Sequence, residues 1–227
     1  MSDIFREVDE DLRHEQYKKL WDRFGPYVIA VAVLIVVAVG GYKAWEWWED
    51  SRAAATGDRF LAALELAEQG KHDEAVVALD AIAVDGSGGY PVLAIFRSAG
   101  EKAAAGDKAG AVAAYDSIAG RSGLPPLVAD LARIRAAQIL VDSQSPEELS
   151  SRIGDLARTG NPWRQAAREI LGLAAYRTND LATARGYFDD IAKDQEAAQG
   201  IRSRAQLMLA LIQSREGPPP PAEPEEG

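Results

Sequence analysis

Hydrophobic positions along this chain follow two regimes. From Tyr27 to Val39, thirteen consecutive residues are apolar, and no acid or base interrupts the nineteen residues from Phe24 to Tyr42. Beyond Lys43 the long aliphatics are spaced at helical intervals among charges. As a helix, the uninterrupted stretch rises roughly 28 Å, close to the hydrocarbon thickness of a bilayer. Aromatic residues bracket it, with Phe24 and Tyr27 at the near end and Tyr42, Trp45, Trp47 and Trp48 at the far end. Their rings are apolar while their N–H or O–H groups seek water, so they suit the water–lipid boundary. The pattern predicts a transmembrane helix over 25–43 that includes Tyr27, Leu34 and Tyr42, with Trp45, Trp47 and Trp48 as interfacial anchors. Pro26 then falls in the first turn, where its missing N–H costs least. A cleaved export signal is the competing reading, because Ala38-Val39-Gly40 offers a small-x-small site. The first 25 residues, however, hold seven acids beside five bases, unlike the short basic start of such signals. A retained anchor is favoured.

Basic residues orient the span. Arg13, Lys18, Lys19 and Arg23 precede it, whereas Lys43 and Arg52 follow. The excess keeps the amino-terminal side in the cytoplasm of an inner-membrane, single-pass protein, and sends the larger part into the periplasm. The chain has no cysteine, which is compatible with an oxidising compartment. Residues 1–24 read as an amphipathic cytoplasmic segment, with Ile4, Phe5, Val8, Leu12, Tyr17, Leu20 and Trp21 at helical spacings. It suits docking on a membrane surface or a partner, and equally a solvated tail.

After the tryptophans the helical pattern continues to Gln69, with a bend expected near Gly57 and a stripe of Phe60, Leu61, Leu64 and Ala67. An internal repeat follows. The turn positions Gly70-Lys71, Gly106-Asp107, Gln144-Ser145 and Asn179-Asp180 are 36, 38 and 35 residues apart. Each is followed by the same spacing of core candidates: Ala75/Leu79/Ile82, Ala111/Tyr115/Ile118, Leu149/Ile153/Leu156 and Ala184/Phe188/Ile191. First helices are expected at 56–69, 91–105, 125–142 and 162–178, and second helices at 72–84, 107–119, 146–158 and 180–194. Gly70, Gly106 and Asn179 tolerate the left-handed backbone that ends a helix. Asp107 and Asp180 can cap the next one, and Ser145 through Glu148 form a capping box. Prolines at 91, 125, 126 and 162 mark helix starts, with Asn161 as a further cap. A closing helix over 196–215 places Ala197, Ile201, Ala205, Leu209 and Ile212 on one face. One helix pair cannot bury its own apolar face, so stacked pairs must share a core. Residues 216–227, rich in proline and glutamate, carry too few apolar side chains to fold.

In the last unit, Leu171-Gly172, Tyr176, Asn179-Asp180, Ala184 and Phe188 fall at the spacings of a tetratricopeptide repeat, which this unit resembles. It departs from that motif at Arg168, where the repeat favours tryptophan, and lacks its terminal proline. The fold class expected is therefore all-α: one transmembrane helix, then a tetratricopeptide-like solenoid of about four helix pairs over 44–215 with a capping helix. The order of parts, a charged start, one span ending in tryptophans and degenerate repeats on an acidic domain, resembles the ancillary SecYEG translocon subunit family. That resemblance implies an inner-membrane protein whose periplasmic repeats meet exported polypeptides or periplasmic chaperones beside translocon subunits. Ligand-facing positions of the repeat would map onto Phe60, Phe96, Gln138, Tyr176 and Arg177. Aromatics at helical spacing are more often core, which favours that role for Phe60 and Phe96, whereas Tyr176 and Arg177 are expected exposed.

The charge balance narrows the partners. A net charge of −10 and a pI near 4.8 disfavour nucleic acid. His14 and His72 fall on opposite sides of the expected membrane, and Gly86-Ser87-Gly88-Gly89 lacks the lysine of a phosphate loop. His72-Asp73-Glu74 reads as the acidic first turn of a helix. No catalytic, metal or cofactor site is expected, and no small-molecule substrate. The bilayer and proteins are the expected partners. Two functions follow: a membrane-tethered adaptor or chaperone at the export channel, or a structural scaffold of an envelope or division complex without client binding. The first predicts an apolar concave face, the second a polar one.

Overall fold

A computed structural model describes the backbone from Asp3 to Glu216. The side chains of residues 3–17, 19, 20, 22 and 28, and all of 217–227, lie outside the described residues, and with them the amphipathic pattern of 1–24 and the tail. Among the described residues there are nine α-helices and no strand. Contacts group the chain into two units, Met1–Ala55 and Thr56–Gly227.

The first unit consists of most of α1 (Asp3–Glu68). Helix α1 runs through Pro26, which therefore lies in its interior and not in a first turn. The residue before it explains the tolerance. Gly25 has no Cβ to meet the proline ring, and the Trp21 ring covers the bare backbone, 3.2 Å from where a Cβ would stand. From Arg23 onward α1 contains one stretch long and apolar enough to cross a membrane, with only 6% of its most apolar window buried. Tyr27, Leu34 and Tyr42 on that stretch are exposed, as are Trp45, Trp47 and Trp48. The Arg52 guanidinium lies 4.9 Å from the Trp48 ring centre.

The second unit begins with the end of α1 and continues through α2 (His72–Asp85), α3 (Tyr90–Ala104), α4 (Lys108–Ala119), α5 (Pro126–Leu140), α6 (Pro146–Ile153), α7 (Arg164–Arg177), α8 (Leu181–Lys193) and α9 (Gln199–Glu216). Consecutive helices pack on one another, and α9 rests on both α7 and α8. The expected turns are present: Gly70, Gly106 and Asn179 have φ of 76°, 92° and 64°. Asp107 accepts the Gly110 N–H at 2.8 Å and Asp180 that of Thr183 at 3.1 Å. Ser145 and Glu148 exchange both bonds of the capping box. All twelve repeat positions from Ala75 to Ile191 are buried.

Several details differ from the sequence reading. Helix α9 begins at Gln199 and not at 196, so Ala197 is buried just ahead of it. Helix α6 stops at Ile153, a turn earlier than expected, because Arg133 of α5 holds the Arg152 carbonyl and the Asp155 carboxylate just past Gly154. Helix α7 starts at Arg164, and Asn161 turns the chain before it by accepting the Trp163 N–H. At the end of α1 the core-facing residues are Ala63 and Ala67, while Leu61 is exposed. Ala63 meets Leu79 and Ile82 of α2, and only a small side chain fits so close an approach of two helices.

That close approach recurs. Seven residues before each turn stands Ala63, Ala99, Ala137 or Gly172, all buried. In the last unit the fit is tightest: a Cβ on Gly172 would lie 2.9 Å from the Phe188 ring.

Candidate binding face

The first helices of successive pairs, the end of α1 with α3 and α5, share one face, and on it opens an apolar groove of about 790 Å³. Two of its aromatic rings are each held by a second ring. Phe60 packs against Tyr90 at the start of α3, ring centres 5.8 Å apart. Phe96 packs against Tyr115 of α4 at the same distance. The Tyr115 hydroxyl lies beside Gly100 of α3, at ordinary contact distance (3.9 Å) from where a Cβ would stand. Burial pushes the Tyr115 phenol above its ordinary pKa, with nearby Arg135 acting in the opposite direction, so the hydroxyl remains a neutral donor. Val92, Leu93, Val128 and Leu131 complete the apolar wall.

Two cations interrupt it. Arg97 directs its Nε to Glu101, 2.7 Å away. Arg135 reaches the amide oxygen of Gln138 at 3.3 Å and has no acidic partner among the described residues. The back of the groove is braced by polar ties between α2 and α3. Glu101, buried, meets His72 Nδ1 at 2.6 Å, and Asp80 accepts from Ser98 at 2.5 Å and Lys102 at 3.1 Å. His72 is thus a strut between helices as well as the first residue of α2. A charged partner 29 positions away is not legible from its own neighbourhood.

Of the five positions that the repeat resemblance marked, the groove brings together Phe60 and Phe96, both half-buried. Gln138 is exposed on α5 beyond the groove. Tyr176 is half-buried among residues of α8 and α9, with the Arg215 guanidinium 4.3 Å from its ring centre. Arg177 is exposed as expected, yet its guanidinium is committed to the Val141 carbonyl at 3.1 Å and to that of Gln144. The closing helix accounts for the difference: it occupies at the last pair the place where a following pair would leave an open face.

A second hollow of about 720 Å³, lined by charged residues of α7, α8 and the segment after α8, is internally neutralised. Arg164 binds Asp194 at 2.8 Å and Glu196 at 2.6 Å, and Arg168 donates to the Ala157 carbonyl at 2.9 Å. The hydrogen bond from Arg164 holds the Asp194 carboxyl below its ordinary pKa. Among the described residues no group of three metal-ligating side chains converges.

Comparison with protein families decides the architecture. The profile of the tetratricopeptide repeat-like domain matches residues 18–214. The chain belongs to that family. Searches among curated proteins and solved structures returned no match. Tetratricopeptide repeat-like domains are in general protein-interaction modules and not enzymes, so the apolar groove on the face of α1, α3 and α5 is its first candidate contact surface.

Proposed function

We propose that this tetratricopeptide repeat-like protein is a membrane-anchored interaction module of the cell envelope that acts beside the Sec translocon. Residues 25–43 hold it in the inner membrane with the amino-terminal side in the cytoplasm. Its repeat domain, in the periplasm, binds newly exported polypeptides or periplasmic chaperones. The observation that carries the reading is the apolar groove built by Phe60, Phe96 and their neighbours. An unfolded chain leaving a channel exposes apolar side chains, and a half-buried aromatic wall captures them without sequence preference. A scaffold without clients predicts a polar face instead, so the lining favours client binding. The placement at the translocon is supported by the resemblance in the order of parts.

Site-specific photocrosslinking in living cells tests it, with one probe at Leu93 on the groove rim and another at Trp47. Translocon subunits crosslinked from Trp47, with secretory clients or chaperones from Leu93, are the expected result. Crosslinks only to itself or to division proteins would promote the scaffold. Cytosolic partners at Leu93 would overturn the topology.

A further inference from the structure

We propose that the groove recognises an acidic side chain set in an apolar stretch of its client, and that Arg135 and the Tyr115 hydroxyl are the two donors that hold the carboxylate. This rests on the groove being the client site and adds what the client must carry. Charge points to an anion. The chain has a net charge of −10, yet the charged residues that line the groove are Arg97 and Arg135, and no acid lines it. The two stand nine residues before Gly106 and Gln144, at the same position of successive pairs. Their partners differ. Arg97 is tied by its Nε to the buried Glu101 at 2.7 Å. Arg135 is exposed, and its hydrogen bond goes to the neutral amide of Gln138 at 3.3 Å. A carboxylate matches the planar fork of a guanidinium far better than an amide does, in charge and in geometry.

Tyr115 points the same way independently. It lines the groove although only 7% of it is exposed, and its ring is fixed against Phe96. Its hydroxyl makes no hydrogen bond among the described residues. A polar group so far out of water normally has a partner, and leaving it without one is costly. A ligand oxygen in the groove supplies that partner, and the phenol keeps its proton for the purpose. Arg135 is close enough to act on the phenol electrostatically, so both donors serve one part of the groove. Phe60, Phe96 and Leu131 line the rest with apolar surface. The site therefore suits one negative charge flanked by hydrocarbon. A lysine would meet Arg135 with like charge, and an unbroken apolar run would leave the hydroxyl without an acceptor. A chain still in transit offers its interior and not its carboxyl end, so the carboxylate is that of a Glu or Asp side chain.

Fluorescent Leu/Ala-rich peptides with blocked ends, differing only in a central Glu, Gln or Lys, are titrated onto the full chain in detergent micelles. The Glu peptide should bind about tenfold tighter than the Gln peptide, the gain from one charge-assisted pair, and the Lys peptide should bind weakest. Arg135→Gln and Tyr115→Phe should each bring the Glu peptide towards the Gln peptide while the affinity of the Gln peptide stays unchanged. Neither substitution should lower the melting temperature, because Arg135 is exposed and the Tyr115 hydroxyl has no bond to lose. A changed preference then reports recognition and not folding. Equal affinity for the Glu and Gln peptides overturns the inference and leaves the client reading standing. A Gln peptide with a free carboxyl end that regains the whole tenfold assigns the donors to chain termini and overturns it too. So does an affinity that falls as the protein concentration is raised, which would give the groove to a second copy. Failure of every peptide to bind sinks the client reading itself, and the inference with it.

Discussion

Gly172 is bare because the tip of the Phe188 ring abuts it. At the equivalent position the other units carry Ala63, Ala99 and Ala137, clustered with Leu79, Tyr115 and Ile153 of their second helices. Gly172→Ala gains helix propensity of about 1 kcal/mol but forces a fully buried ring to move, an overpacking that costs about 1–3 kcal/mol. We expect a net fall in the melting temperature, read by circular dichroism, that Phe188→Leu partly restores in the double variant. The two substitutions touch, so their effects will not add. A second change isolates a cap. Asp107→Ala leaves the Gly110 N–H without its acceptor and should cost about 0.5–2 kcal/mol, while Asp107→Asn keeps most of the stability in the same melt. Single residues of this kind were the most legible part of the sequence. Gly70, Gly106, Asn179, Asp107 and Asp180 act through atoms within a few positions of themselves, so local chemistry is enough to place them.

Whole helices depend on distant residues, and there the sequence was less informative. Nothing near Ile153 announces that α6 ends; the reason is Arg133, twenty positions earlier, which clasps the Arg152 carbonyl and Asp155. The groove follows the same rule. Phe60 and Phe96 were visible from their spacing, whereas Val128, Leu131 and Arg135 join them only because stacking sets α5 beside α3. Tyr176, expected exposed, is half-buried, because a pattern repeated by register takes no account of the closing helix. Arg133→Gln should cost about 1–3 kcal/mol through lost charge-assisted bonds, with hydrogen exchange accelerating first in residues 154–158. Acid should act on the same ties. The hydrogen bond from Arg133 holds the Asp155 carboxyl below its ordinary value of 3.8, and Arg164 does so for Asp194. Folded carboxylates then bind protons less readily than unfolded ones, so their contribution is complete above about pH 4 and is lost as pH falls through the depressed folded values. Melts should change little on this account from pH 7 to 4 and fall below it, and Arg133→Gln should flatten the Asp155 share of that fall.

At the scale of the repeat domain, stability is a sum over neighbouring pairs and not the property of one central core. The buried residues form separate clusters, one around Leu79 and Ala94, one around Tyr115 and Ala132, one around Leu149 and Leu171, and one around Phe188 and Ile212. Damage should therefore stay local. Gly172→Leu is expected to strip exchange protection from α7, α8 and α9 while amides of α2 and α3 keep theirs, as resolved by mass spectrometry of peptic fragments. Loss of protection throughout the domain would show a single cooperative unit instead. The period of the repeat was legible because each pair solves the same packing problem with the same few residue types; what the pairs jointly enclose was not.

The contact through Ala63, Ala99, Ala137 and Gly172 has a mechanical consequence. A long side chain between two helices can swing to another rotamer and let them slide; a methyl group or a hydrogen cannot. Each pair joined this way is then a stiff plank, but the junctions between planks are unequal. Polar ties between α2 and α3 brace the first junction, whereas the short α6 packs sparsely on α5 and α7, so under tension the stack should open first around α6 and recoil when released.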